Sequence, residues 1–230
     1  MDFKKPFLLI SDLQIPFEAK NALQFCSYVK KHYKIPDENV LNCGDETDQC
    51  NASMYPKDPE AEHTHNSEIQ TTREKLKEWY AVFPKMKIAE SNHMMRWIKK
   101  AANADIPEQL LRPYRELYHM PDGWIHQKEW VIETKHRFKI KHGVDLSGKT
   151  PYRKCVELSN ISTAFGHLHS SAGICFLKTE EKSIWSMNTG CLIDINKYAF
   201  KYERNNIFKP NLTIGLVFNE GSMPVLLPYE

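Results

Sequence analysis

Acids, amides and imidazoles recur in five short blocks of this 230-residue chain, each beside a small or turn-forming residue. The blocks are Asp12 with Gln14, Gly44-Asp45-Glu46-Thr47-Asp48, Ser91-Asn92-His93, His142-Gly143, and Gly166-His167-Leu168-His169. Oxygen and imidazole donors without a thiolate suit hard or borderline divalent ions such as Mn²⁺, Fe²⁺ or Zn²⁺. Two such ions about 3.5 to 4 Å apart, sharing a bridging carboxylate, can hold a hydroxide and neutralise phosphate oxygens, which are the two needs of in-line phosphoester hydrolysis. A nearby imidazole can then protonate the departing alkoxide. Taken singly, His169 reads as a satisfied polar residue and Asp45 as a turn former. The five blocks together favour joint metal binding by Asp12, Asp45, Asn92, His142, His167 and His169.

For these blocks to meet, each should follow a strand, because ligands in open α/β sheets bind beyond the carboxyl ends of strands. Residues 7–10, 40–43 and 86–89 are short apolar runs that end in polar residues, the form of buried strands. Between the first two, Ala22, Phe25, Cys26 and Val29 make one apolar helical stripe, and Lys30, Lys31 and His32 suit that helix's negative end. Between the second and third, Ile69, Leu76, Tyr80 and Phe83 keep helical spacing. Ser67-x-x-Gln70 is expected to open that helix as a capping box and Pro84 to stop it. The first ninety residues therefore predict β-α-β-α-β. Beyond Met94, short helical patterns are broken by Pro107 and Pro113. From about Trp124 strands are expected at 130–134, 137–142, 162–165, 174–178, 183–187, 212–218 and 225–227, with a hairpin turn at 219–222. A βαβ front half and a strand-rich back half predict an α/β fold of two face-packed sheets flanked by helices, in a single domain over 1–230. His142 shares the face of Phe138 and Ile140 by period-two alternation, so it should point inward.

Composition narrows the function classes. With 41% hydrophobic and 26% charged residues, the chain can bury a core and is neither collagen-like nor largely disordered. Lys and Arg exceed Asp and Glu by only two, so charge gives no argument for a general polyanion binder. The six scattered cysteines form no C-x-x-C pair, which fits reduced thiols in a cytoplasm. No apolar stretch matches a signal peptide or a membrane span. Gly143 to Thr150 satisfies the literal G-x-x-x-x-G-K-[ST] phosphate-loop pattern, but Pro151 stands where that loop's helix should continue. Lys149 remains a candidate phosphate contact. Arg96 and Lys99, a turn beyond His93, are placed to meet a substrate phosphate. Arg137, Lys139 and Lys141 alternate away from His142 and read as a solvated face.

The five blocks in this order resemble the calcineurin-like metallophosphoesterase superfamily, whose pattern is D-x-H, G-D-x-x-D, G-N-H-D/E, H and G-H-x-H. The resemblance spans Asp12 to His169. The forms Asp12-Leu13-Gln14-Ile15-Pro16 and Ser91-Asn92-His93 are similar to phage and prophage-encoded members, which would place the protein in a host cytoplasm. The resemblance implies a four-layer α/β/β/α fold and hydrolysis by a metal-bridging hydroxide. By motif, Asp12 and His169 would hold the first metal, Asp45 would bridge, and Asn92, His142 and His167 would hold the second. His93 would be the catalytic acid, oriented by Asp48, which could instead be a helix cap. Mn²⁺ is the first choice of ion, with Fe²⁺, Zn²⁺, Ni²⁺ and Mg²⁺ as alternatives. Gln14 stands in the usual place of a histidine; its amide oxygen can coordinate but is a weaker donor than imidazole, and it could serve only as a polar wall. Ser91 replaces the usual glycine, and Met94 the usual acid after Asn-His. The implied activity is phosphodiester hydrolysis on nucleotides or DNA, as a nuclease would perform. A phosphomonoesterase or protein phosphatase is the enzyme alternative, and a non-catalytic binding scaffold is suggested by Gln14 and Met94.

Overall fold

The computed structural model describes residues 4–54, 62–197 and 207–229. Strands β1 (Phe7–Ile10), β2 (Val40–Asn42) and β3 (Met86–Ala89) alternate with helices α1 (Ala22–His32) and α2 (His65–Val82). The βαβ front half thus forms as expected. Helices α3 (Arg96–Ala102) and α4 (Tyr114–Leu117) follow, then β4 (Trp124–Gln127), β5 (Trp130–Ile132), β6 (Phe138–Ile140), α5 (Pro151–Leu158) and β7 (Ser162–Phe165). The chain continues through β8 (Gly173–Lys178), β9 (Ser183–Asn188), β10 (Thr213–Phe218) and β11 (Met223–Pro228). One sheet has the order β11-β10-β1-β2-β3-β4 and the other β5-β6-β7-β9-β8, both mixed. The architecture is α/β with two mixed sheets and five α-helices among the described residues.

The continuous apolar run of β1 has a physical cause. Leu8 and Ile10 join the cluster that holds Ala22, Cys26 and Val29 of α1 with Leu76 and Trp79 of α2. Phe7 and Leu9 enter a second cluster with Phe138 and Ile140 of β6, Ala164 of β7, and Trp185 and Met187 of β9. Successive side chains of a strand point to opposite faces, so a strand covered on both sides must be apolar throughout. On the outer side of the second sheet, Cys155 of α5 packs with Phe165 and Leu146.

Three expectations are corrected. Strand β4 was not foreseen: Trp-Ile-His-Gln shows no apolar alternation, and the segment becomes a strand by parallel pairing to β3, Met86 against Trp124 and Ala89 against Gln127. Helix α2 is capped by Thr64 rather than Ser67. The Thr64 hydroxyl accepts from Ser67 N at 3.2 Å, and Ser67 Oγ accepts from Thr64 N at 2.9 Å, so Ser67 is the third residue of the box. Pro151 does not forbid a helix after Lys149; it starts α5, where a missing N–H costs nothing. No helix among the described residues is long and apolar enough to cross a membrane.

Candidate metal centre

Strands β1, β2 and β3 run parallel, as do β6 and β7, so the five blocks leave their strands at carboxyl ends. Backbone bonds then draw the loops together. Asp12 N donates to Gly44 O at 3.0 Å, Gln14 N to Asp45 O at 2.9 Å, and Gly166 N to His142 O at 3.0 Å. The two sheets are joined here by His142, whose Nδ1 lies 2.9 Å from Cys43 O. A carbonyl can only accept, so this contact places the proton on Nδ1 and turns Nε2 into the site.

Around that Nε2 the ligands converge. Asn92 Oδ1 is 2.9 Å away and Asp45 Oδ2 3.3 Å. Asp45, His142 and His167 each bring a ligand atom within 4.8 Å of the others. The His142 and His167 rings meet edge to face at 4.9 Å between centroids. Lone pairs facing lone pairs repel unless positive charge lies among them, as a proton on Nε2 or a divalent cation would. The surroundings favour such charge. Burial lowers His142 basicity, but Asp45 and Asp12 overcome it and raise the imidazole to about 9. Burial likewise opposes ionisation of Asp45, yet His142 and His93 hold its carboxyl well below the usual range. Burial and the charge on His142 lower His167, which keeps its ring lone pair available. The donor set therefore fits a borderline divalent ion.

Beside this group lies a second. His169 Nε2 is 3.2 Å from Asp12 Oδ1 and 3.0 Å from Gln14 Nε2. His167 N donates to Asp12 Oδ2 at 2.9 Å, linking the two groups. Burial raises Asp12, but the hydrogen bond and charge of His169 bring its carboxyl below the ordinary value. Gln14 Oε1 is buried with no hydrogen-bond partner among the described residues. An orphaned acceptor of this kind is costly unless something positive meets it, which fits coordination better than a polar wall.

The backbone is bent to make these approaches. Asp12, Gln14, Asp45 and His167 all have positive φ, at 48°, 48°, 55° and 70°, a region costing about 1–3 kcal/mol for each such residue. Gly44 adopts φ +105°, and a Cβ there would sit 2.7 Å from His142 Nδ1. At Gly166 a Cβ would fall 1.8 Å from Ser11 Oγ and 2.2 Å from Asp12 Oδ2. Gly166→Ala should therefore push the Asp12 carboxylate off its position and weaken Mn²⁺ binding roughly tenfold to a hundredfold, as disturbing metal-ligand support does. Calorimetric titration checks this, and unchanged affinity would show that the close approach is dispensable.

His93 is buried against the cluster, with Nε2 3.5 Å from Asp45 Oδ2 and its backbone N 3.4 Å from Asp45 Oδ1. Asp48 does not hold it directly, since the Asp48 Oδ2 to His93 Nδ1 separation is 4.0 Å, too long for a hydrogen bond. Arg96 spans the gap instead. Its Nη1 donates to Asp48 Oδ1 at 2.8 Å and to Asp48 O at 2.7 Å, while Nη2 donates to His93 Nε2 at 2.6 Å. Burial, with the positive charge of Arg96, lowers His93 to about 3 despite Asp45. Burial also drives Asp48 up to about 7 against Arg96, with Glu68 and Asp45 adding to the rise. Arg96 thus clamps Asp48 to His93. Arg96→Met should lower stability by about 1–3 kcal/mol by stripping a buried carboxylate of its donor. Thermal unfolding measures this, and an unchanged Tm would remove the clamp as a structural element.

Two supports are marked weakly or not at all in the sequence. Glu68 of α2 accepts from Cys50 N at 2.6 Å and Asn51 N at 2.9 Å, bracing the turn after Asp48. Glu46, beside Asp45, accepts from Tyr114 Oη at 2.6 Å and lies 2.8 Å from His126 Nε2. For Glu46 the only hint was its place inside the Gly44-to-Asp48 block. Lys149 is exposed on the loop before α5, and none of the contacts that knit the cluster involves it. The basic residues on and flanking β6 are engaged in ion pairs, Arg137 with Glu133, Lys139 with Glu129 and Lys141 with Asp145. Comparison with models of protein families and with curated proteins finds no match to this sequence.

Proposed function

We propose that this chain is a divalent-metal-dependent phosphoester hydrolase of the four-layer metallophosphoesterase type. The observation that carries the proposal is the convergence of Asp45, Asn92, His142 and His167 around one point, with Asp12, Gln14 and His169 alongside. In this reading Asp12, Gln14 and His169 hold one ion, Asn92, His142 and His167 hold another, and Asp45 serves both. Bound divalent ions supply Lewis-acid charge for the phosphate oxygens and an activated water as nucleophile.

The chain's own residues do the rest. Cys43 O fixes the His142 tautomer, and the left-handed turns at Asp12 and Asp45 aim their carboxylates. His93 lies beside Asp45, where the leaving alkoxide of a bound ester would emerge. Its Nε2 is held by Arg96, and an incoming phosphoryl oxygen competes for the same guanidinium. That exchange frees the Nε2 lone pair to take the proton that the attacking water gives up and pass it to the alkoxide, while Asp48 retains Arg96 Nη1.

The test is calorimetric titration with Mn²⁺, followed by turnover of aryl phosphodiesters and monoesters with Mn²⁺, Fe²⁺, Zn²⁺, Ni²⁺ and Mg²⁺. Two ions per chain and metal-dependent hydrolysis, faster on diesters, are expected. Faster monoester turnover moves the substrate class to phosphomonoesters. Fewer than two ions with no turnover would leave a binding scaffold and overturn the proposal.

A further inference from the structure

Apart from the shared Asp45, the two donor groups of the centre differ by a single exchange. Asn92, His142 and His167 bring one amide and two imidazoles, whereas Asp12, Gln14 and His169 bring one amide, one imidazole and one carboxylate. Imidazole suits Zn²⁺, while carboxylate and carbonyl oxygens suit Mn²⁺ and Mg²⁺. The exchange therefore separates the two groups by the ion each prefers. Gln14 is the residue that keeps the second group poor in imidazole, and it is fixed in place. It is only 2% exposed, its N donates to Asp45 O at 2.9 Å, and its O accepts from Phe17 N at 2.9 Å. The side chain is thereby held at His169, whose Nε2 lies 3.0 Å from Gln14 Nε2 and 3.2 Å from Asp12 Oδ1. Separations of about 3 Å suit neighbouring donors that share one ion at about 2.1 Å.

As the amide stands, hydrogen bonds cannot satisfy both of these contacts. A ring nitrogen carries either a proton or a lone pair. With a proton, His169 Nε2 serves Asp12 but meets the amide N–H₂ donor to donor. With a lone pair, it serves the amide but meets the Asp12 carboxylate acceptor to acceptor. Turning the amide about its last bond exchanges two ends of similar size and directs its oxygen to the same point. Three electron-rich atoms then face one place, and a divalent ion there supplies positive charge to all of them at once. An amide oxygen is a hard, weak donor, so its presence where an imidazole could stand costs Zn²⁺ more than Mn²⁺.

We propose that the two halves of the centre select different ions, an inference that rests on the two-ion reading above. The Asn92, His142 and His167 group takes Zn²⁺, the Asp12, Gln14 and His169 group takes Mn²⁺ or Mg²⁺, and Gln14 sets the difference. The experiment titrates the metal-free full chain calorimetrically with Zn²⁺, with Mn²⁺, and with Mn²⁺ after one equivalent of Zn²⁺, the last followed by electron paramagnetic resonance. The first Zn²⁺ should bind roughly a hundredfold tighter than the second, while the two Mn²⁺ should differ by roughly tenfold or less. With one Zn²⁺ in place, added Mn²⁺ should give the hyperfine-resolved spectrum of a lone ion, without the coupling of a manganese pair. Gln14→His should bring the second Zn²⁺ to within roughly tenfold of the first and leave Mn²⁺ affinities little changed. His167→Gln, which makes the other group poor in imidazole, should remove the tight Zn²⁺ step. General damage weakens both metals together, so a changed Zn²⁺ to Mn²⁺ ratio separates selectivity from misfolding. Two Zn²⁺ of equal affinity in the unaltered chain would overturn the inference, as would a Gln14→His chain that keeps the original gap or loses both metals alike. Any of these results with metal-dependent ester turnover by the unaltered chain leaves the hydrolase reading standing. The expected selectivity without turnover of any ester does the reverse. Binding of a single ion defeats the two-ion reading and this inference with it.

Discussion

Replacing Asp45 by asparagine should reduce metal-dependent turnover roughly a thousandfold, the rate equivalent of about 4 kcal/mol of lost transition-state stabilisation. The substitution preserves shape but removes the negative charge that the site is organised around. Asp45 Oδ2 lies 3.3 Å from His142 Nε2 and 3.5 Å from His93 Nε2, and a neutral amide there offers two cations a far poorer shared ligand. Mn²⁺ stoichiometry should fall with activity while the circular dichroism spectrum is retained. If Asp45→Asn binds two ions and turns over at the wild-type rate, the carboxylate does not bridge and the two-ion arrangement is wrong.

His93→Ala should discriminate between substrates rather than slow all of them alike. Loss of a positioned general acid costs about 10²- to 10⁴-fold when the leaving group needs a proton, so alkyl esters should suffer that loss. Nitrophenyl esters, whose leaving groups depart as anions, should lose far less. His93 is none of the proposed ligands, so the Mn²⁺ stoichiometry should survive. Alanine leaves the Asp48–Arg96 pair in place, which separates a chemical defect from a collapsed support. Equal losses across both ester classes would remove His93 as the proton donor and recast it as a wall of the site.

The difference between His93 and Arg96 illustrates what the linear chain discloses. His93 sits in a block whose residue types already suggest chemistry. Arg96 carries only a positive charge a turn beyond it, and charge plus proximity suggested a substrate contact. Its engagement with Asp48, 48 residues earlier, depends on how the turn after β2 meets the start of α3. The same holds for Glu46 with Tyr114 and His126, which are 68 and 80 residues apart. No periodicity or motif encodes such pairs, because a single polar contact leaves no repeating trace.

Local order was legible where hydrophobic periodicity and burial agree. The stripe of α1 and the apolar run of β1 are forced by the faces they must cover, and both elements occupy the expected residues. Strand β4 was missed because Trp124–Gln127 owes its conformation to pairing with β3 rather than to its own pattern. The start of α2 lay between two overlapping capping signatures, and the reciprocal bonds of Thr64 and Ser67 selected the earlier one.

The sequence by itself determined the βαβ order and the donor types of the five blocks, since apolar spacing and ligand chemistry are properties of residues. Tertiary structure decided which donors face one another and which support Arg96 serves. Those outcomes depend on strand register, on left-handed turns and on loops brought together from distant parts of the chain. Each is a cooperative property of the packed sheets, and none belongs to any residue taken alone.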